Sequence, residues 1–326
     1  MYTIEQLSPH LNYGSIVRGI SAADIETPEQ REKLRDLWAD RGLLVFRDTK
    51  DLTTEFHVAL SRVFGDLQRH HQENMLVDGH PELISFRAEG ERDGIYEVDG
   101  ELRSGFFPFH HDFRWMDHPN RGGVLRIVQL PKKGGETGFV DGVDAYDSMP
   151  EDLKRRIEGR EVVYQMMTDD RAFKFDRRRK MRTVRLGSTR DHIRDHPENY
   201  PPVAFPLVAT VPETGRKYLS YSPFFSVNVI GLSPEESDAL LFELAEYVTD
   251  PKRAYLHKWE PGDMVLWDNW RMLHSAEGVP LGEQREGQRT TIAGAHPIGR
   301  MLGDGGWKFE QPLQSNLDEE NSTVPA

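Results

Sequence analysis

Phe107-Pro108-Phe109-His110-His111-Asp112-Phe113-Arg114-Trp115 (FPFHHDFRW, residues 107–115) sets two histidines and an aspartate inside a run of aromatics. An extended chain turns alternate side chains to one face. His110 and Asp112 then point one way and His111 the other. Two donors one residue apart on a stiff strand form a pincer. A third ligand from a distant strand would complete a face of two imidazoles and one carboxylate. Such a face leaves coordination positions open and suits non-heme Fe(II). The competing reading is three satisfied interior side chains.

His-x-Asp/Glu also occurs at His80/Glu82 and His196/Glu198. Both have proline in the middle, a poor setting for a rigid strand pincer. His192 and His196 in RDHIRDH are spaced for one helix face, but no third ligand accompanies them. A second stretch favours His110 and Asp112. In PGDMVLWDNWRMLHSA (261–276), Pro261-Gly262-Asp263 reads as a turn, Met264 to Trp267 as a buried strand, and His274 follows. EQREGQRTTIAGA comes next, with Arg285 and Arg289 four apart. Paired arginines just after a candidate ligand suggest an anion clamp, because guanidinium grips carboxylates through a bidentate fork. The plainer reading of such arginines is solvated surface charge, yet Arg289 opens an apolar strand.

Composition limits the alternatives. Lys and Arg number 41 against 54 Asp and Glu, a formal net charge of −13, which argues against a nucleic-acid-binding face. Cys is absent, so disulfides, thiolate nucleophiles and cysteine-ligated metals are excluded. No run approaches the roughly 18 consecutive apolar residues of a membrane span. The start, MYTIEQLSPHLNYG, has neither a basic nor an apolar leader segment. A soluble cytoplasmic protein is the expectation.

Four helices are predicted. They follow Thr27-Pro28-Glu29-Gln30 (Leu34, Leu37 and Trp38 inward), the stripe Phe56, Leu60, Val63 and Phe64, Ser148-Met149-Pro150-Glu151 (Leu153, Ile157), and Ser233-Pro234-Glu235-Glu236 (Leu240, Leu241, Leu244, Val248). Strands are predicted over 43–47, 124–130, 160–166, 203–211, 217–222, 263–269 and 289–295. So many short strands predict a mainly β sandwich or barrel with flanking helices. No repeat and no composition break divides the chain, so one domain over 1–326 is expected. Residues 87–106 read as a glycine-containing lid, 168–200 as a charged insertion, and 309–326 as a polar tail.

These residues resemble the Fe(II)/2-oxoglutarate-dependent dioxygenases of the taurine dioxygenase and 2,4-D dioxygenase (TauD/TfdA) type. The likeness lies in GLLVFRDTKDLTTEFHVALSRVFGDL (42–67), FHHD, GGETGFVDGVDAYDSMPEDLKRRIEG (134–159), WDNWRMLH and REGQRTTIAG, in that order. It implies a double-stranded β-helix core, the cupin-like jelly roll. It also implies His110, Asp112 and His274 as iron ligands, with 2-oxoglutarate as cosubstrate and O2 as oxidant. Arg285 and Thr137 would hold the distal carboxylate of 2-oxoglutarate. Arg289 would contact the cosubstrate or an anionic group of the substrate. His70 (or its neighbour His71), Phe113 and Trp115 would line the substrate pocket. The implied reaction is hydroxylation of a small-molecule C–H bond with release of succinate and CO2. Desaturation or ring closure, and a non-oxidative metal-binding jelly roll, are the alternatives.

The pattern departs from the family at Phe109 (usually Trp), at Trp270 (commonly Arg) and at Glu286-Gly287-Gln288 between the arginines. Separately, Phe113, Trp115, Tyr221, Phe224 and Phe225 suggest a partly apolar or aromatic substrate; plain core packing is the alternative for these aromatics. A homodimer or homotetramer is compatible with the family. Neither nucleic acid nor membrane is expected as a partner.

Overall fold

Leu43–Arg47 (LLVFR) shows how the layers are built. Leu43 and Val45 pack with Phe139, Trp267 and Met272 in one buried cluster. Leu44 and Phe46 turn to the opposite side and pack with Leu34, Trp38, Phe56 and Leu60. A strand buried on both faces needs a continuous apolar run, and this one has it. The computed structural model describes residues 2–70, 73–88 and 94–303.

Two sheets carry the core. The eight-stranded sheet runs in the order Thr3–Gln6, Ser15–Arg18, Leu43–Arg47, Met264–Asp268, Gly122–Gln129, Arg285–Thr290, His80–Ala88, Leu76–Val77. The six-stranded sheet runs Met181–Arg185, Ile95–Val98, Glu101–His110, Met272–Pro280, Thr137–Asp141, Tyr255–His257. Pairing is antiparallel except between Ser15–Arg18 and Leu43–Arg47. Neighbours far apart in sequence, packed across a shared core, make the double-stranded β-helix.

Helices cover the outer faces. Pro28–Arg41 begins at Thr27, whose hydroxyl accepts from the Gln30 amide, and ends at Gly42 in the left-handed region (φ 72°). With Thr54–Arg62 it covers the eight-stranded sheet. Glu151–Ile157 and Pro234–Val248, the second opened by a Ser233/Glu236 capping box, pack in one cluster with Val140 and Leu273 of the six-stranded sheet and with Val162, Val203 and Val229 of a four-stranded sheet. Gly142–Asp147 is a helix that the apolar spacing alone did not signal; the Asp141 side chain caps it by accepting from the Val143 amide. No helix among the described residues is long and apolar enough to cross a membrane.

Several sequence expectations shift. The strand expected over 203–211 breaks at Leu207 into Val203–Pro206 and Val208–Thr210. The strand expected over 217–222 is only Lys217–Leu219. The strand expected over 289–295 lies at Arg285–Thr290, so both arginines share one strand and, four apart, one face. Gly287 allows this: a Cβ there would meet the Phe86 ring at 2.6 Å.

Residues 87–106, expected as a lid, are largely sheet. Ile95–Val98 pairs with Glu101–His110, and that second strand leads straight to His110. Its buried Ser104 and Phe106 alternate with less buried neighbours, a pattern masked in sequence by the polar residues around them. Residues 89–93, His71 and the tail 309–326 lie outside the described residues. Within 168–200, Met181–Arg185 adds the edge strand of the six-stranded sheet, and Ser188–Asp195 is a helix.

Candidate metal and cosubstrate site

The two sheets meet at His274, whose ring lies 4.8 Å from Trp267. His274 belongs to Met272–Pro280 and stands directly across from His110, the last residue of its strand. Their rings are 4.2 Å apart. Asp112 follows the strand end. Its Oδ1 lies 3.6 Å from His110 Nε2 and 3.6 Å from His274 Nε2. Among the described residues these three form a group whose donor atoms all lie within 4.8 Å of one another. His111, His80, His192 and His196 are outside it. His196 instead pairs with Glu198 at 3.3 Å on the surface.

Local chemistry sets each donor. The carbonyl of Pro108 lies 2.8 Å from His110 Nδ1. Nδ1–H donating to it leaves the Nε2 lone pair facing Asp112. Phe113 takes a left-handed backbone conformation (φ 57°), turning the chain sharply just after Asp112. Asn269, in the turn before the His274 strand, holds the Asp112 backbone from both sides. Its Oδ1 accepts from the Asp112 amide at 2.7 Å, and its Nδ2 donates to the Asp112 carbonyl at 3.2 Å. Nδ2 also donates to Asn120 Oδ1 at 2.9 Å. The sequence placed Asn269 in a motif without assigning it this role; an amide that can mimic a backbone partner, between two buried segments, was the available signal.

Arg289 Nη1 donates to Asp112 Oδ2 at 2.6 Å. Burial alone would raise the Asp112 carboxyl, but the Arg289 guanidinium holds it well below the usual carboxylate range. Burial, then the neighbouring His110, pushes His274 down to about 4, so it is neutral near pH 7. A carboxylate at Asp112 and a neutral imidazole at His274 are the protonation states in which these two groups bind metal.

Arg285 is buried, its Nε has no partner, and no acid pairs with it among the described residues. Burial alone lowers its guanidinium to about 10. A desolvated cation without a counter-charge costs several kcal/mol unless an anion joins it. Arg285 lies against Gly135, where a Cβ would meet its Cδ at 3.1 Å. Two residues on, the buried Thr137 hydroxyl accepts from Trp259 Nε1 at 3.0 Å. Trp259 is a polar contact to this pocket that the sequence did not reveal. Donor set and buried cation together fit a ferrous ion and a dicarboxylate keto acid.

The expected substrate-side residues fall into two groups. Phe113 approaches His70, with ring centroids 6.1 Å apart, and both border the ligand loop. Trp115 packs edge-on to Tyr200 at 5.2 Å and clusters with Ile193 and Met116, so segment 188–200 buttresses it. Phe224 lies 6.3 Å from the His110 ring and stacks on Phe173. Tyr221 is interior and donates to the Leu241 carbonyl. Trp270 is also interior, under the Arg121 guanidinium at 4.6 Å.

A jelly roll bearing two imidazoles, one carboxylate and a buried arginine defines a non-heme iron, 2-oxoglutarate-dependent oxygenase. The model of the taurine catabolism dioxygenase TauD, TfdA family matches residues 3–291, and the chain belongs to that family. It is similar to the (S)-phenoxypropionate/alpha-ketoglutarate-dioxygenase of Sphingobium herbicidovorans, 32% identical over 289 residues, covering 86% of this chain and 92% of that one. It is 29% identical over 288 residues to the alpha-ketoglutarate-dependent 2,4-dichlorophenoxyacetate dioxygenase of Cupriavidus pinatubonensis, covering 83% and 93%. The crystal structure of a taurine dioxygenase from Burkholderia xenovorans superposes with a TM-score of 0.69 at 25% identity, covering 93% and 95%.

Proposed function

We propose that the protein hydroxylates a C–H bond of a small anionic, partly aromatic substrate, with His110, Asp112 and His274 holding Fe(II). The observation that carries this is Arg285, a buried guanidinium with no acid beside it among the described residues, sharing a strand face with the Arg289 that touches the Asp112 carboxylate. One arginine is then available to a cosubstrate and the other lies beside the metal.

Bound Fe(II), 2-oxoglutarate and O2 supply the oxidation: the keto acid leaves as succinate and CO2, and one oxygen atom enters the substrate C–H bond. The chain supplies orientation. Arg285 grips the distal carboxylate through its fork, and Thr137 adds a hydroxyl donor. Pro108 fixes the His110 tautomer and Asn269 fixes the backbone at Asp112. Arg289 attracts the anionic end of the substrate, while Phe113, Trp115 and His70 face its apolar body. The phenoxypropionate and dichlorophenoxyacetate relatives support an aryloxyalkanoate class.

The test is succinate release from 2-oxoglutarate by the Fe(II)-loaded protein across aryloxyalkanoates, aliphatic sulfonates and neutral aryl ethers. Stimulation by the aryloxy acids above the other two groups is expected. Equal stimulation by neutral ethers would remove the anionic requirement, and no succinate with any compound would remove the activity.

A further inference from the structure

We propose that Trp259 is a positioning residue for the cosubstrate pocket: its indole N–H aims the Thr137 hydroxyl at the distal carboxylate of 2-oxoglutarate. The inference rests on the proposed function, which places that carboxylate at Arg285.

A threonine hydroxyl has one proton and two lone pairs. Thr137 Oγ1 accepts from Trp259 Nε1 at 3.0 Å, which occupies one lone pair. Indole N–H only donates, so it never competes for the threonine proton. That proton is left to point elsewhere, in a buried position two residues from the Gly135 that Arg285 packs against. A hydroxyl free to rotate would spend part of its time with its proton turned from the anion.

The indole is itself held. His257 is the direct cross-strand partner of Thr137, and its ring stands edge-on to Trp259 at 4.5 Å. His257 is fully buried between the Tyr255 hydroxyl, 3.1 Å from Nδ1, and Asp263 Oδ2, 3.2 Å from Nε2. Asp263 accepts two bonds from Arg47, at 3.1 and 2.7 Å, and one from the Glu260 amide at 3.2 Å. A chain of contacts thus runs from Arg47 through Asp263 and His257 to the indole over Thr137, its link from His257 to the indole being the edge-on ring contact. Packing alone needs an aromatic ring at 259; orienting a hydroxyl needs the N–H.

Calorimetric titration of 2-oxoglutarate into the full-length Mn(II)-loaded protein separates these roles without turnover. Trp259→Phe keeps a ring and removes the donor. Its affinity for 2-oxoglutarate should fall about three- to tenfold, the range of one hydrogen bond, with Mn(II) affinity unchanged. In a Thr137→Val background the same substitution should add nothing. Equal 2-oxoglutarate affinity in Trp259→Phe overturns the inference, as does an equal loss with and without the threonine hydroxyl. Absence of 2-oxoglutarate binding by the parent protein overturns the cosubstrate reading and the inference with it. Should Trp259→Phe not fold, indole N–H resonances of the Zn(II)-loaded parent decide. One that moves with Thr137→Val and again with 2-oxoglutarate supports the inference; none that does so overturns it.

Discussion

Arg289 Nη1 donates to Oδ2 of Asp112 at 2.6 Å, while Oδ1 of the same carboxylate faces Nε2 of both His110 and His274. One small carboxylate therefore has a guanidinium on one side and two imidazoles on the other. Asp112→Ala should lower Mn(II) affinity by at least about 100-fold, since the loss of a ligand exceeds the 10- to 100-fold effect of outer-shell partners. The fold should persist, because Asn269 holds the backbone of residue 112 and not its side chain. Calorimetry and circular dichroism read the two effects; tight Mn(II) binding by the variant would remove Asp112 from the ligand set.

Arg285→Ala should raise the 2-oxoglutarate concentration needed for half-maximal succinate release by about 100-fold, the worth of a charge-assisted bidentate pair. The substrate requirement should change far less. The variant also removes a buried cation that has no counter-charge among the described residues, so its melting temperature without ligand should not fall. A requirement that rises equally for both compounds would move the clamp away from Arg285.

Asn269→Ala breaks both contacts to the Asp112 backbone and the one to Asn120 Oδ1. The expected cost is about 2–4 kcal/mol of stability, from buried groups left unpaired. Mn(II) affinity should weaken alongside. Chemical denaturation and metal titration check the pair; full metal affinity in a destabilised variant would show that the clamp serves the fold alone.

His57 supplies a pH signature remote from the metal. It is fully buried on Thr54–Arg62, with Nε2 2.9 Å from the Val124 carbonyl. Burial pushes its imidazole down to about 3 from an ordinary 6.5. A depressed folded-state value means that the neutral form is the stabilising one. That contribution is complete above about pH 6.5 and is lost as pH falls from there toward 3. His57→Gln keeps a donor for Val124 and cannot titrate, so its stability should fall less steeply between pH 6.5 and 4. Parallel denaturation profiles for the two proteins would contradict this.

Much of the site was legible because it is local. His110 and Asp112 follow from a period of two, and the Trp267-to-His274 segment carries its own turn and strand signals. The strand shared by Arg285 and Arg289 was placed too late, because Glu286, Gly287 and Gln288 look like loop until Phe86 is seen covering the glycine. Ile95–Val98 and Met181–Arg185 are polar on one side and pair only with each other and their neighbours, so local pattern could not separate them from insertions. The Asn269 clamp and the Trp259–Thr137 contact join residues more than a hundred positions apart. They depend on sheet register, which one sequence does not print.

The register that sets His274 against His110 has a consequence for biosynthesis. While the C-terminal part of the chain is still being made, the first imidazole and the aspartate lack the strand that carries His274. With the ligand set proposed above, a half-finished molecule would lack the third donor for ferrous iron. Oxygen activation would then wait until Met272–Pro280 has been added.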